Sequence, residues 1–448
     1  MGIDKAIFYV LVGKGFSFIS QPITLYLIAT YFTPQEQGFY YTFANILSLS
    51  MFLEMGLGVV LTQFASHEFA YLAWSAEGSL TGDEEALRRL LSILRKSVKW
   101  YGVLSFVFLA VLIPIGLIFF GTNPDSTKVN FVLPWVLLVS FSTLNLAIYP
   151  VFTVIEGCGK VAQLQQMRLY QALFGALSIW LIIISRGSLY TASILAVSNF
   201  IVSAAWLQIN FRGLIRQISK QREATGLPQV SWREEILPMQ WRIALSWMSG
   251  YFIYQLINPL LFKYQSSAVA GQMGMSQSIS NIALGISIAW ISTKFPTYGT
   301  LIQKKQYAEL DSLALKGTLQ ALIFNLLLSA AVLICIYFVK KYFPHYGNRV
   351  LTLPALAALL FCNVINLLIT SMAGYLRAHK AEPYLINSLI GAAGTSVIAW
   401  FCARYYSADI LTYSIAAFNL ILGLPLSAYI FLKKKQEWHA GDFKPSEV

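Results

Sequence analysis

Runs of about twenty mainly apolar residues recur from one end of this chain to the other, each long enough for a helix to cross a bilayer core of roughly 30 Å. They fall at 7–31, 39–61, 100–120, 132–155, 169–185, 192–211, 243–262, 268–293, 319–338, 353–375, 384–402 and 410–432, which makes about twelve spans. Hydrocarbon offers no partner to a backbone N–H or C=O, so each span must close its hydrogen bonds as a helix, and the fold class is all-α integral membrane. Composition agrees: 57% of the residues are hydrophobic and 12% charged, against about 25% charged in a soluble domain.

The longest polar interruption lies near the midpoint and carries Arg212, Arg216, Lys220, Arg222 and Arg233, with Arg242 where the next span begins. It divides the chain into a lobe at 1–211, a basic linker at 212–240, a second lobe at 241–432 and a tail at 433–448. The formal charge is +12. The basic residues gather in alternate short connections instead of a stripe interleaved with aromatics, so they report topology and do not point to nucleic acid. With the basic face inside, both termini are expected in the cytoplasm. The linker is equally well read as an ordinary basic loop.

The four cysteines, Cys158, Cys335, Cys362 and Cys402, have no metal-ligand or disulfide spacing. Between the second and third spans, the Thr81 to Glu84 segment reads as a capping box, followed by Leu87, Leu90, Leu91, Leu94 and Val98 at helical spacing. That pattern suits an amphipathic helix on the membrane surface, or one packed on the ends of its neighbours.

The halves echo each other. Gly13 precedes Pro22 by the interval at which Gly250 precedes Pro259, and each Pro follows an amide, Gln21 or Asn258. The Tyr31 to Gly38 segment parallels Tyr264 to Gly271, and the Glu156 to Lys160 turn parallels Tyr375 to Lys380. A duplicated six-span unit follows, an arrangement frequent in secondary transporters. A proline inside a span frees a carbonyl, which makes Pro22 and Pro259 the candidate hinges, although kinks also arise from packing alone.

Lys14 and Glu54 are the ionisable residues set most clearly inside spans, where an isolated charge costs at least about 2.5 to 3.5 kcal/mol. They would lie at similar depth and could pair; the alternatives are a structural salt bridge, a snorkelling Lys14, or a cavity role for Lys14 with Glu54 as the candidate for ion coupling. The eighth span carries Gln272, Ser276, Gln277, Ser278, Ser280 and Asn281, a face that suits a wet cavity or a tight helix contact. Its amides fit sugar hydroxyls, and with Lys14 and Arg242 they could accommodate a large polar anion. No GxxxxGK[ST] loop occurs, the histidines are dispersed, and no outer connection is long enough for a catalytic domain, so neither ATP-driven transport nor an enzyme site is expected, and no cofactor or metal.

The Phe52-Leu-Glu-Met-Gly-Leu-Gly58 run, followed by Gln63 to Glu68, resembles the second-span signature of polysaccharide-repeat flippases (Wzx type) of the multidrug/oligosaccharidyl-lipid/polysaccharide (MOP) exporter superfamily. Gly38 and Gly271, the Gly157 to Lys160 turn and the Pro238 to Arg242 run share the resemblance. It implies a MATE-like fold of two six-helix lobes related by a pseudo-two-fold, with spans one, two, seven and eight around a central cavity that holds Lys14, Glu54, Gln255, Asn258 and the polar face of span eight. It further implies a lipid-linked oligosaccharide on undecaprenyl diphosphate, turned between leaflets of the bacterial inner membrane by alternating access for O-antigen or exopolysaccharide synthesis. Membrane lipids and a polysaccharide polymerase would be its partners. Flippases of this superfamily often carry several cavity cations, whereas only Lys14 lies firmly within a span here. The competing readings are a cation-coupled drug exporter of the same superfamily, for which the spans supply few acids, and a membrane glycan polymerase or glycosyltransferase.

Overall fold

The computed structural model describes residues 5–54, 56–220, 245, 248–379 and 383–439. Apart from one short hairpin, its regular structure is helical. Among the described residues, nine helices are long and apolar enough to cross a membrane. They correspond to nine of the expected spans; the second, seventh and eighth are missing from that set, and each for a visible reason. The second is broken, the seventh is broken and lies partly outside the described residues, and the eighth is continuous but polar.

The chain forms two compact units, Met1–Phe32 with Ile46–Met248 and Thr33–Asn45 with Ser249–Val448. In the first, α1 (Lys5–Tyr31) runs without a break through Pro22. Next come α2 (Pro34–Leu47), whose residues up to Asn45 belong to the second unit, then α3 (Met51–Glu54) and α4 (Leu57–Phe69). Gly56 caps α4 from the left-handed region, with φ 67°, which puts a joint at Gly56 within the second span.

A hairpin, β1 (Leu72–Trp74) with β2 (Leu80–Gly82), precedes α5 (Glu84–Gly121). The expected capping box is not used: Asp83 is the cap, accepting from the Ala86 N–H at 2.9 Å, and Thr81 sits in β2. Nor is there a separate surface helix, because Leu90, Leu91 and Leu94 are buried in α5 itself, which continues as the third span. Of the two placements the sequence allowed, packing on neighbours is the one adopted.

The first unit continues with α6 (Val132–Gly157), α7 (Val161–Ile184), α8 (Tyr190–Asn210) and α9 (Arg212–Lys220). Leu214 of α9 packs into the cluster that holds Leu90, Leu94, Phe152, Trp206 and Phe211. Arg95 closes the far end of α9 by donating to the carbonyls of Ile218 at 2.9 Å and Gln217 at 3.0 Å, groups that a helix end otherwise leaves unpaired. The rest of the expected linker, from 221 to 240, lies outside the described residues.

The second unit contains helical residues 248–254, α10 (Ile257–Tyr264), α11 (Ser267–Ser292), α12 (Phe295–Gln303), α13 (Tyr307–Tyr342), α14 (Leu353–Arg377), α15 (Leu385–Tyr405), α16 (Ala408–Phe418) and α17 (Leu424–His439), the last two joined by a π-helical turn at Asn419–Gly423. On the outer surfaces of both units large apolar side chains stand open, Phe106 at 71%, Ile209 at 74% and Ile421 at 74%. Single exposures of this kind are ordinary, but many of them on helices long and apolar enough to cross a membrane suit contact with lipid.

Candidate functional site

A proline cannot donate to the carbonyl four residues before it, so Pro259 frees the carbonyl of Gln255. There the seventh span opens: residues 255 and 256 are not helical, and the Gln255 and Leu256 amides both turn back to the Tyr251 carbonyl, at 2.8 and 3.2 Å. The break sets Gln255 and Asn258 against the polar face of α11. The π-turn at Asn419 loosens α16 beside the same space, as such turns often do at functional sites.

These elements enclose a cavity of about 260 Å3 within the second unit, reached by Asn45 of α2, Asn363 and Asn366 of α14, and Asn419. Asn258 Nδ2 donates to Asn45 Oδ1 at 2.9 Å and to Gln277 Oε1 at 3.1 Å, while Asn45 donates in turn to Gln255 in a close contact. Asn363 donates to Ser280 Oγ at 2.6 Å. Asn258 Oδ1 is buried and has no partner among the described residues. Its lining, among the described residues, includes no Asp, Glu, Lys, Arg or His. Such a wall offers donors and acceptors without net charge, the chemistry that matches hydroxyl groups.

Of the residues expected from sequence, Gln255, Asn258, Gln277 and Asn281 line this cavity. Gln272 does not; it is turned to the Asn348 carbonyl at 2.9 Å. Lys14, Gln21 and Pro22 are exposed on α1 in the first unit, and Arg242 lies outside the described residues. No ion pair joins Lys14 to Glu54 among the described residues: Glu54 takes the hydroxyl of Tyr149, against which Gly58 also rests. Asn45, Asn363, Asn366 and Asn419 were not singled out from sequence. Asn45 and Asn419 are lone amides in apolar runs, and Asn363 and Asn366 a pair three residues apart in another, which was the available signal.

Among the described residues, no group of three or more His, Cys, Asp or Glu side chains could hold a metal ion.

No protein-family model matches this chain, and no curated protein does. Solved structures do match. An inward-facing multidrug-resistance MATE transporter of the MOP superfamily has a TM-score of 0.71 at 12% identity, over 94% of this chain and 96% of its own. The lipid II flippase MurJ, in an inward closed conformation, has a TM-score of 0.66 at 11% identity, over 95% and 90%. The chain has the fold of the MOP-superfamily transporters. A MOP transporter from Pyrococcus furiosus, described as having a binding pocket of reversed polarity, matches with a TM-score of 0.56 at 12% identity over 98% and 96%. The sequence expectation of a MATE-like fold is therefore met along nearly the whole chain.

Proposed function

We propose that this chain is a flippase that moves an undecaprenyl-diphosphate-linked oligosaccharide repeat from the inner to the outer leaflet of the bacterial inner membrane by alternating access, for surface polysaccharide synthesis. The observation that carries the reading is the uncharged amide cavity formed by Asn45, Gln255, Asn258, Gln277 and Asn363. Sugar hydroxyls taken through hydrocarbon each need a partner, and carboxamides both donate and accept. A cationic drug would instead call for a carboxylate, which is missing from the described lining.

In this reading the lipid tail stays in the bilayer and both termini face the cytoplasm, with Lys14 and Arg242 as candidates for the anionic headgroup. The membrane potential favours outward movement of an anion by about 2.3 kcal/mol per charge per 100 mV, so transport does not require ATP. Glu54 is the candidate for proton or sodium coupling. The MATE likeness supports a second reading, cation-coupled drug export. Deletion of the gene followed by analysis of lipid-linked sugars separates the two. The flippase reading expects accumulation on the inner leaflet; normal lipid-linked sugar with lost efflux of cationic dyes would replace it with the exporter.

A further inference from the structure

The first unit has an opening of its own, between α6, α7 and α8, with a volume of about 370 Å3. That lies within the roughly 300–1,000 Å3 of small-molecule sites. Asn145 and Tyr149 of α6, Arg168 and Gln171 of α7, and Asn199 and Ser203 of α8 supply most of its polar wall.

Hydrogen bonds fix which way two of these amides face. Asn145 spends its Nδ2 on the carbonyls of Phe141, at 2.8 Å, and Ala196, at 3.0 Å. Gln171 spends its Nε2 on Ser203 Oγ, at 2.8 Å, and the Asn199 carbonyl, at 3.4 Å. A backbone carbonyl only accepts, so the NH2 groups must point to those partners, and Asn145 Oδ1 and Gln171 Oε1 are the atoms left for a ligand. The wall therefore asks for donors.

Charge narrows the ligand further. Arg168 is engaged by Glu156 at 3.3 Å, which leaves little net positive charge for an anion. Neither Glu156 nor Glu54 lines the opening, so no carboxylate is placed there for a cation. A hydroxyl gives a proton to Asn145 or Gln171, accepts from the carboxamide of Asn199 and carries no charge, so it suits this wall.

We propose that the α6–α8 opening is a carbohydrate-binding site that takes an uncharged, hydroxyl-rich sugar ring. As a station for the sugar of the lipid-linked substrate it rests on the flippase reading above; as a sugar site it does not.

The test uses the purified full-length chain in lipid nanodiscs free of glycolipid, with a photoactivatable octyl β-D-glucopyranoside as probe and an octyl trimethylammonium bearing the same photoactivatable tail as control. The glucoside is expected to label α6–α8 peptides and to be displaced by methyl β-D-glucopyranoside, and the ammonium probe is expected to label them weakly. Gln171→Met removes an acceptor and should reduce displaceable labelling by about two- to tenfold. Asn199→Val should do the same, and it removes no side-chain hydrogen bond, so its fold is kept even if Gln171→Met unfolds. Equal labelling by the ammonium probe, or unchanged labelling of a folded Asn199→Val protein, overturns the proposal. Labelling without accumulation of lipid-linked sugar in the deletion strain keeps the sugar site and removes the flippase reading; accumulation without labelling does the reverse.

Discussion

Gly38 and Gly271 meet backbone to backbone. A Cβ on Gly271 would lie 2.9 Å from the amide nitrogen of Gly38, and one on Gly38 would lie 1.8 Å from the carbonyl oxygen of Ser267. Gln37 pins the same crossing of α2 and α11 by donating to the Gly271 carbonyl at 2.7 Å. The amides of Asn45 and Gln277 reach the cavity because the two helices lie this close.

Gly38→Ala should therefore be among the more damaging small substitutions in the second unit. The obstructing atom is backbone and cannot swing aside, so a loss of about 1–3 kcal/mol is expected, the range for overpacking. Thermal unfolding of the purified protein measures it. An unchanged melting temperature would mean that the crossing is looser than described.

The echo between Gly38 and Gly271 was legible in the sequence, but their contact was not, because a repeat gives equivalent positions and says nothing about which helices cross. Lys14 and Glu54 illustrate the same limit: equal depth along two spans does not bring side chains together, and Glu54 pairs with Tyr149 on α6 instead. Hydropathy located the spans well because lipid enforces it residue by residue. The extension of α5 into the third span was hidden because an amphipathic prefix and an apolar core share one helical period. At the site, the clustered amides of span eight stood out. Asn363 and Asn366 came into view only once α14 was seen beside α11.

Gly56→Ala tests the joint in the second span. A positive φ of 67° costs an L-residue about 1–2 kcal/mol. The expected result is a lower melting temperature, with Gly56→Asn less affected because Asn tolerates this region better. Equal losses for the two variants would show that the backbone conformation is not what Gly56 supplies.

Asn258 donates to both Asn45 and Gln277, so Asn258→Leu removes two hydrogen bonds at once. A cost of about 1–3 kcal/mol is expected, since Asn45 Oδ1 and Gln277 Oε1 each lose a donor. On the flippase reading, surface-glycan export should fall further than protein abundance. Export that tracks abundance alone would give Asn258 a structural role only.

The end of α17 docks on α12–α14 through a pH-sensitive contact. His379, just beyond α14, is buried and packs on Trp438 with ring centroids 4.6 Å apart and the planes tilted by 39°. Burial pushes its imidazole below the ordinary value, opposed by its bond to the Tyr375 carbonyl and aided by nearby His439. The docked state thus binds fewer protons than the undocked one. Its stability is complete above about pH 6.5 and declines as pH falls below that. Hydrogen-exchange protection factors over residues 430–439, corrected for the intrinsic pH dependence of exchange, should fall between pH 7.5 and 5.5, and His379→Gln should flatten that change. An identical pH response in the variant would assign it to another group.

Glu54 lies inside the membrane span, and its described partner is Tyr149, whose ring packs on Tyr101 with centroids 6.1 Å apart. Among the described residues no ion pair locks this carboxyl, so taking part in coupling would not require a salt bridge to break. Two substitutions separate coupling from packing. On the flippase reading, Glu54→Gln keeps size and hydrogen bonding but cannot ionise, so it should remove the pH dependence of glycan export. Tyr149→Phe keeps the carboxyl and removes only the neighbouring hydroxyl, so the pH dependence should persist. Export profiles measured between pH 5.5 and 8.5 check both, and a wild-type profile in Glu54→Gln would take the coupling role away from this residue.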